Sequence, residues 1–110
     1  MDQGERIARN EAAYRQVNEA IEAGRTAAAV QDDTPRPFAC ECGQLGCNQL
    51  VELTIVEYES VRAGPRRFLM VEGHQIPEVE RVVERHERYV VAEKIESEGQ
   101  IADETDPRSP

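Results

Sequence analysis

Residues 38–54 read FACECGQLGCNQLVELT, and this stretch decides how the rest of the chain is parsed. Cys40, Cys42 and Cys47 are the chain's 3 cysteines, and all of them fall in one turn punctuated by Gly43 and Gly46. An odd number of thiols cannot pair off within one chain, so a disulfide framework explains them poorly. Soft donors this close together instead suit a metal ion. Glycines beside metal-bound cysteines let the backbone turn sharply and aim N–H groups at the sulfurs. The flanks are hairpin-like: a short apolar approach carries Cys40, and Leu50, Val51 and Leu53 follow as a strand.

Outward from the hairpin, Thr54 and Glu57 form a capping box, and Ile55, Tyr58 and Val61 share one face of a short helix ending at Gly64 before Pro65. Phe68 to Val71 is an apolar run bounded by Pro65 and Gly73, and it reads as a buried strand that delivers the chain to His74. Residues 77–95 read as two strands, rich in Val82, Val83, Tyr89, Val90 and Val91 and joined near His86, although Val79, Val82 and Val83 after Pro77 also fit a helix.

Towards the N-terminus, Asp2 with Glu5 has the form of a helix cap. Ile7, Tyr14, Val17 and Ile21 recur at helical spacing, and Gly24 supplies a stop. Polar Asn10 interrupts the heptad, so the stripe is expected to pack on the domain, with dimerisation through this helix as the alternative. Residues 25–37, with Asp32, Asp33, Pro35 and Pro37, read as a linker. Residues 96–110 are acidic and poor in apolar side chains, and are expected to be a disordered tail.

The expected fold class is therefore α+β: an N-terminal amphipathic helix over residues 1–24, then a zinc-stapled domain over residues 38–95 with a small antiparallel sheet and one short helix. With 39% hydrophobic residues and no Trp, the core is modest. A core of that kind is marginal alone, and a bound metal would supplement it.

His74 is the expected fourth ligand. It follows Gly73 at the end of an apolar strand, whereas His86, the only other histidine, lies in a charged tetrad typical of an exposed turn. Cys40, Cys42, Cys47 and His74 make a Cys3His set, which suits Zn2+. The spacing departs from paired C-x2-C half-sites, and the cysteines have two other readings: small buried core residues, or redox-active thiols. Should His74 not serve, His86, Glu72 or a water would fill the fourth position, and an open position would favour catalysis.

The 22 acidic residues outnumber the 13 basic ones for a net charge of -9, which disfavours nucleic acid and anionic membrane surfaces as partners. No stretch approaches the roughly 20 apolar residues that span a bilayer, and the N-terminus lacks a signal-peptide pattern, so the cytoplasm is the expected compartment. Arg62, Arg66 and Arg67 form a basic patch near a helix end and read as solvated charge. Glu52, Glu57 and Glu59 offer no catalytic pair, and there is no phosphate loop, nucleophile elbow or HExxH helix. The leading expectation is a zinc-binding interaction or regulatory module whose partner is another protein. Its rivals are a redox or zinc sensor and a small metal-dependent hydrolase.

Four segments, Phe38 to Cys47, Val51 to Phe68, Gly73-His74 and Glu80 to Lys94, together resemble a group of small bacterial proteins with the pattern FxCECGxxxC, VELTxxEYExVRAxPxRF, GH and ERVVERxxRYVVxEK. The resemblance covers about half the chain. It implies a Cys3His-like zinc-binding cluster at Cys40, Cys42, Cys47 and His74, and it implies no activity. The SWIM-type finger, C-x-C then C-x-H, is similar in its first two cysteines only, because His74 lies far from Cys47 in sequence.

Overall fold

A computed structural model describes residues 3–27, 34–44 and 46–108. Its elements run α1 (Gln3–Ala27), β1 (Arg36–Ala39), β2 (Leu50–Leu53), α2 (Ile55–Arg62), β3 (Arg67–Met70), β4 (Glu80–Arg85), β5 (Val90–Lys94) and α3 (Glu96–Glu104). The α+β class holds, with the strands divided between two antiparallel sheets: β1 pairs with β2, and β5 lies between β3 and β4. The β4–β5 hairpin turns at His86, as expected, with His86 N–H donating to Tyr89 O at 2.8 Å. A register shift between Val82 and Glu84 bends β4.

Alternation along β3 and β5 gives the central sheet two buried faces. On one face Leu69 and Val91 meet Phe38, Val51, Leu53, Tyr58, Val61 and Tyr89, so α2 and the β1–β2 hairpin pack here. Phe38 and Tyr58 stack with ring centroids 4.6 Å apart. On the other face Phe68, Met70, Val90 and Ala92 meet Cys40, Cys42 and Ala102 of α3. Helix α2 has the expected capping box, with Thr54 Oγ1 accepting from Glu57 N and Glu57 Oε1 accepting from Thr54 N.

Four expectations are corrected. Gly24 does not stop α1, which continues to Ala27. Nor do residues 25–37 form a plain linker, since β1 begins at Arg36. Arg25 accounts for part of this: its guanidinium lies 4.7 Å from the Phe38 ring centroid and donates to Pro37 O, tying the helix end to β1. Residues 28–33 and the Asp2 cap lie outside the described residues. Third, the apolar stripe of α1 is only partly its packed face: Ile21 packs against the core and Ile7 against Gly43, but Val17 is 48% exposed. Ala8, Glu11, Ala12, Arg15 and Asn18 are buried instead.

Those polar side chains are buried because each finds partners. Lys94 on β5 bonds Glu11 and Glu80, with all three side chains fully buried. Arg15 donates to Pro65 O at 2.6 Å and Ala102 O at 2.8 Å, and covers the Phe68 ring at 4.5 Å.

The fourth correction is the tail, where residues 96–104 are helical as α3. The basic patch is what holds it: Arg62, far from solvated, is buried and bonds Glu19 and Asp106, while Arg66 grips Asp103 with two nitrogens. Arg108 then reaches back to Glu19 at 3.0 Å and Glu22 at 3.3 Å. Apolar content alone underestimated the ordering, because these charge pairs add to the packing of buried Ala102. Residues 109 and 110 lie outside the described residues.

Candidate metal centre

The hairpin, the β3 exit and α1 converge on the cysteines. Cys40 N–H donates to Gln49 O at 3.0 Å, which continues the β1–β2 ladder one step beyond Ala39. Glu41 then turns from the hairpin to β3, donating its N–H to Leu69 O at 2.8 Å. The next turn is closed by Cys47 N–H on Gln44 O at 3.2 Å, with Gly46 in the left-handed region at φ 79°. A second turn after β3 is closed by His74 N–H on Val71 O at 3.0 Å, with Gly73 at φ 89°. In both turns only a glycine adopts the third position without strain.

These two turns bring all four expected residues together: one ligand atom from each of Cys40, Cys42, Cys47 and His74 lies within 4.8 Å of the others. His74 Nδ1 is 3.6 Å from Cys40 Sγ and 3.7 Å from Cys47 Sγ. Tetrahedral zinc bonds of about 2.3 Å to sulfur and 2.0–2.1 Å to nitrogen set neighbouring ligand atoms roughly 3.5–3.8 Å apart. The two imidazole–sulfur distances match that spacing, and the donor set suits a metal ion in its chemistry. Cys40 and Cys42 are buried, whereas Cys47 and His74 are half-buried, so the cluster has an inner and an outer side.

Backbone N–H groups converge on the sulfurs as the glycine-rich turn implied. Val71 N–H donates to Cys40 Sγ at 3.3 Å, Cys42 N–H also bonds Cys40, and Gln44 N–H bonds Cys42. Burial nevertheless pushes the Cys40 and Cys42 thiols above their ordinary value; Cys40 and Cys47 add to the rise at Cys42, whereas at Cys40 a hydrogen bond from Cys42 opposes it and the charge of Cys47 adds to it. A bound cation reverses that balance, because it supplies the positive charge that buried thiolates otherwise lack. The alternative reading of the cysteines as core residues has partial support, since Cys40 and Cys42 also pack among Phe68, Met70 and Ala92.

The residue that sequence reasoning missed is Glu41, fully buried between two ligands. Its carboxylate accepts from Asn18 Nδ2 at 2.8 Å and Leu69 N at 3.1 Å. Burial pushes its pKa up to about 7 against those hydrogen bonds. Asn18 also pairs with both backbone groups of Ala39, accepting its N–H at 2.7 Å and donating to its carbonyl at 2.8 Å. In a C-x-C segment near a sheet the middle side chain points away from the metal, so the only sequence signal was Glu41's place between the two cysteines.

The remaining candidates fall elsewhere. His86 is exposed, stacks on Tyr89 at 4.5 Å and bonds Glu84 at 2.8 Å, so it takes no part in the cluster. Glu72 pairs with Arg85 at 2.8 Å. Glu57 is occupied by its cap and by Arg88, and Glu59 by Arg108. No helix among the described residues is long and apolar enough to cross a membrane. Comparison with protein-family models, with curated proteins and with solved structures gives no match to this chain.

Proposed function

We propose that the chain is a small cytoplasmic zinc-binding module in which Zn2+, held by Cys40, Cys42, Cys47 and His74, staples the hairpin to the end of β3 and so presents a folded acidic surface to a protein partner. The observation that carries the reading is the set of four donor atoms within 4.8 Å of one another. Three sulfurs and an imidazole favour zinc over the hard cations, which take oxygen ligands. Four protein donors complete a tetrahedron, which leaves no position for a substrate water and argues against the hydrolase reading. The net charge of -9 supports a basic protein surface as partner over nucleic acid.

Elemental analysis of protein purified without chelator tests this, with Cys47→Ser and His74→Ala variants alongside. The expected result is a single zinc per chain, lost together with cooperative unfolding in both variants. Metal-free, folded parent protein would overturn it.

A redox or zinc sensor is the second reading, favoured by the half-buried position of Cys47. Oxidation would begin at the accessible thiol and eject the ion. Mild peroxide would then release zinc and unfold the domain, and retention of both zinc and fold would count against a sensor.

A further inference from the structure

Beside the cysteine loop, between it and the first turns of α1, lies an open groove of about 520 Å³. Ile7, Ile76 and Gly43 make its apolar surface, and Arg6, Asn10 and Gln44 supply polar groups. Gly43 is required by the close packing here, since a Cβ would sit 2.4 Å from Ile7 Cγ2. That size lies within the range of small-molecule pockets.

Two observations indicate what the groove accepts. The chain has 13 basic residues against 22 acidic ones. Among the described residues Arg6 is the only basic side chain with no ion-pair, hydrogen-bond or ring partner; even the exposed Arg9, Arg81 and Arg85 have carboxylates. One helical turn on, and so on the same face of α1, Asn10 Nδ2 is a buried donor with no acceptor. A buried unpaired amide is costly and calls for a partner. Both side chains line the groove, and each carries a donor that lacks an acceptor.

We infer that this groove binds a small organic carboxylate, its charged end meeting Arg6 and Asn10 and its aliphatic body lying on Ile7 and Ile76. One wall is Gly43 and Gln44, which follow Cys42, and Gln44 donates to His74 O at 3.2 Å, so this inference rests on the metal reading for the stiffness of that wall. A doubly charged or bulky polar anion would leave the apolar surface unmatched, which favours an aliphatic monocarboxylate.

The test is an NMR titration of full-length, zinc-reconstituted protein with octanoate, with 1-octanol and octylamine as controls and zinc content measured on the same samples. Octanoate should saturate with a Kd on the order of 1 mM or tighter, shifting the Ile7 and Ile76 methyl signals. Arg6→Ala and Asn10→Ala, both expected to fold, should weaken it about fivefold or more, and 1-octanol and octylamine should bind more weakly by a similar factor. Absence of saturable shifts at Ile7 and Ile76 in zinc-loaded protein would overturn the groove and leave the metal centre standing. Equal octanoate affinity in Arg6→Ala, or equal affinity for 1-octanol, would also overturn it. Octanoate binding by protein that holds no zinc would sustain the groove while the metal reading fails.

Discussion

Cys47 and His74 occupy the same place in two equivalent turns. Each is the last residue of a four-residue turn, each donates its N–H to the first residue's carbonyl, and each follows a glycine at positive φ. The two ligands on the outer side of the cluster are thus presented by one device used twice, 27 residues apart.

Because no atom lies within 4 Å of a Cβ built on Gly46 or Gly73, alanine there meets no steric obstacle and acts through φ alone. Gly73→Ala should cost about 1 kcal/mol of stability and weaken zinc retention against a chromophoric chelator. Asn, which tolerates the left-handed region, should cost less. Equal zinc retention in wild type and Gly73→Ala would show that His74 is not held by this turn.

Glu41 and Asn18 connect the cluster to α1. Replacing Glu41 by Gln places an amide N–H against either Asn18 Nδ2 or Leu69 N, and such a buried clash of donors should cost about 2–3 kcal/mol. Asn18→Ala strands both backbone groups of Ala39 as well as Glu41, and a loss of similar size is expected. Urea unfolding of zinc-saturated protein measures both. An unchanged midpoint in Asn18→Ala would mean that α1 and the hairpin are not coupled through this side chain.

The hairpin, helix α2, the β4–β5 pair and the four clustered residues were legible because local signals determine them: a capping box, turn glycines, β-branched runs and adjacent thiols. The packing of α1 was not. Its buried face reads Ala8, Glu11, Ala12, Arg15 and Asn18, and a hydrophobic period search passes over charges whose partners lie far along the chain. Glu11 finds Lys94, and Arg15 finds the carbonyls of Pro65 and Ala102. The ordered tail was hidden for the same reason, since Asp103, Asp106 and Arg108 contribute ion pairs and little apolar area.

Lys94 faces two buried carboxylates, so the site holds more acid than base. Burial, with Glu80 beside it, raises the pKa of Glu11 well above the ordinary carboxylate value, and Lys94 opposes this only in part. Burial and Glu59 push Glu22 up to about 7 in the same direction. A raised folded-state pKa contributes stability that is complete below the unfolded value and is lost as pH climbs through the folded one. The urea midpoint should therefore fall between about pH 5 and pH 8 through these groups, and Glu11→Gln should reduce that slope. An identical slope in the variant would refute the assignment. Glu19 behaves oppositely: burial alone would raise it, but hydrogen bonds from Arg108 and Tyr58 prevail and hold it at about 2. Its contribution is present above the ordinary carboxylate range and disappears only as pH falls towards 2.

Removing residues 96–110 should unfold the protein or nearly so. Arg15 would lose Ala102 O, and Arg62, whose side chain is fully buried, would lose Asp106. Arg62 would keep only Glu19 and Arg15 only Pro65 O; breaking a buried ion pair costs about 3–5 kcal/mol, which is a large share of the stability of a small domain. The point variant Asp106→Ala should cost about 3 kcal/mol by the same argument. Pairing it with Arg62→Met should recover part of the loss, because the cation and its partner leave together. Thermal unfolding of five proteins, the parent and the Arg62→Met single variant included, decides the matter. A truncated chain melting at the parent temperature would mean that α3 is an ornament on the fold, and additive losses in the double variant would mean that Arg62 and Asp106 are not coupled.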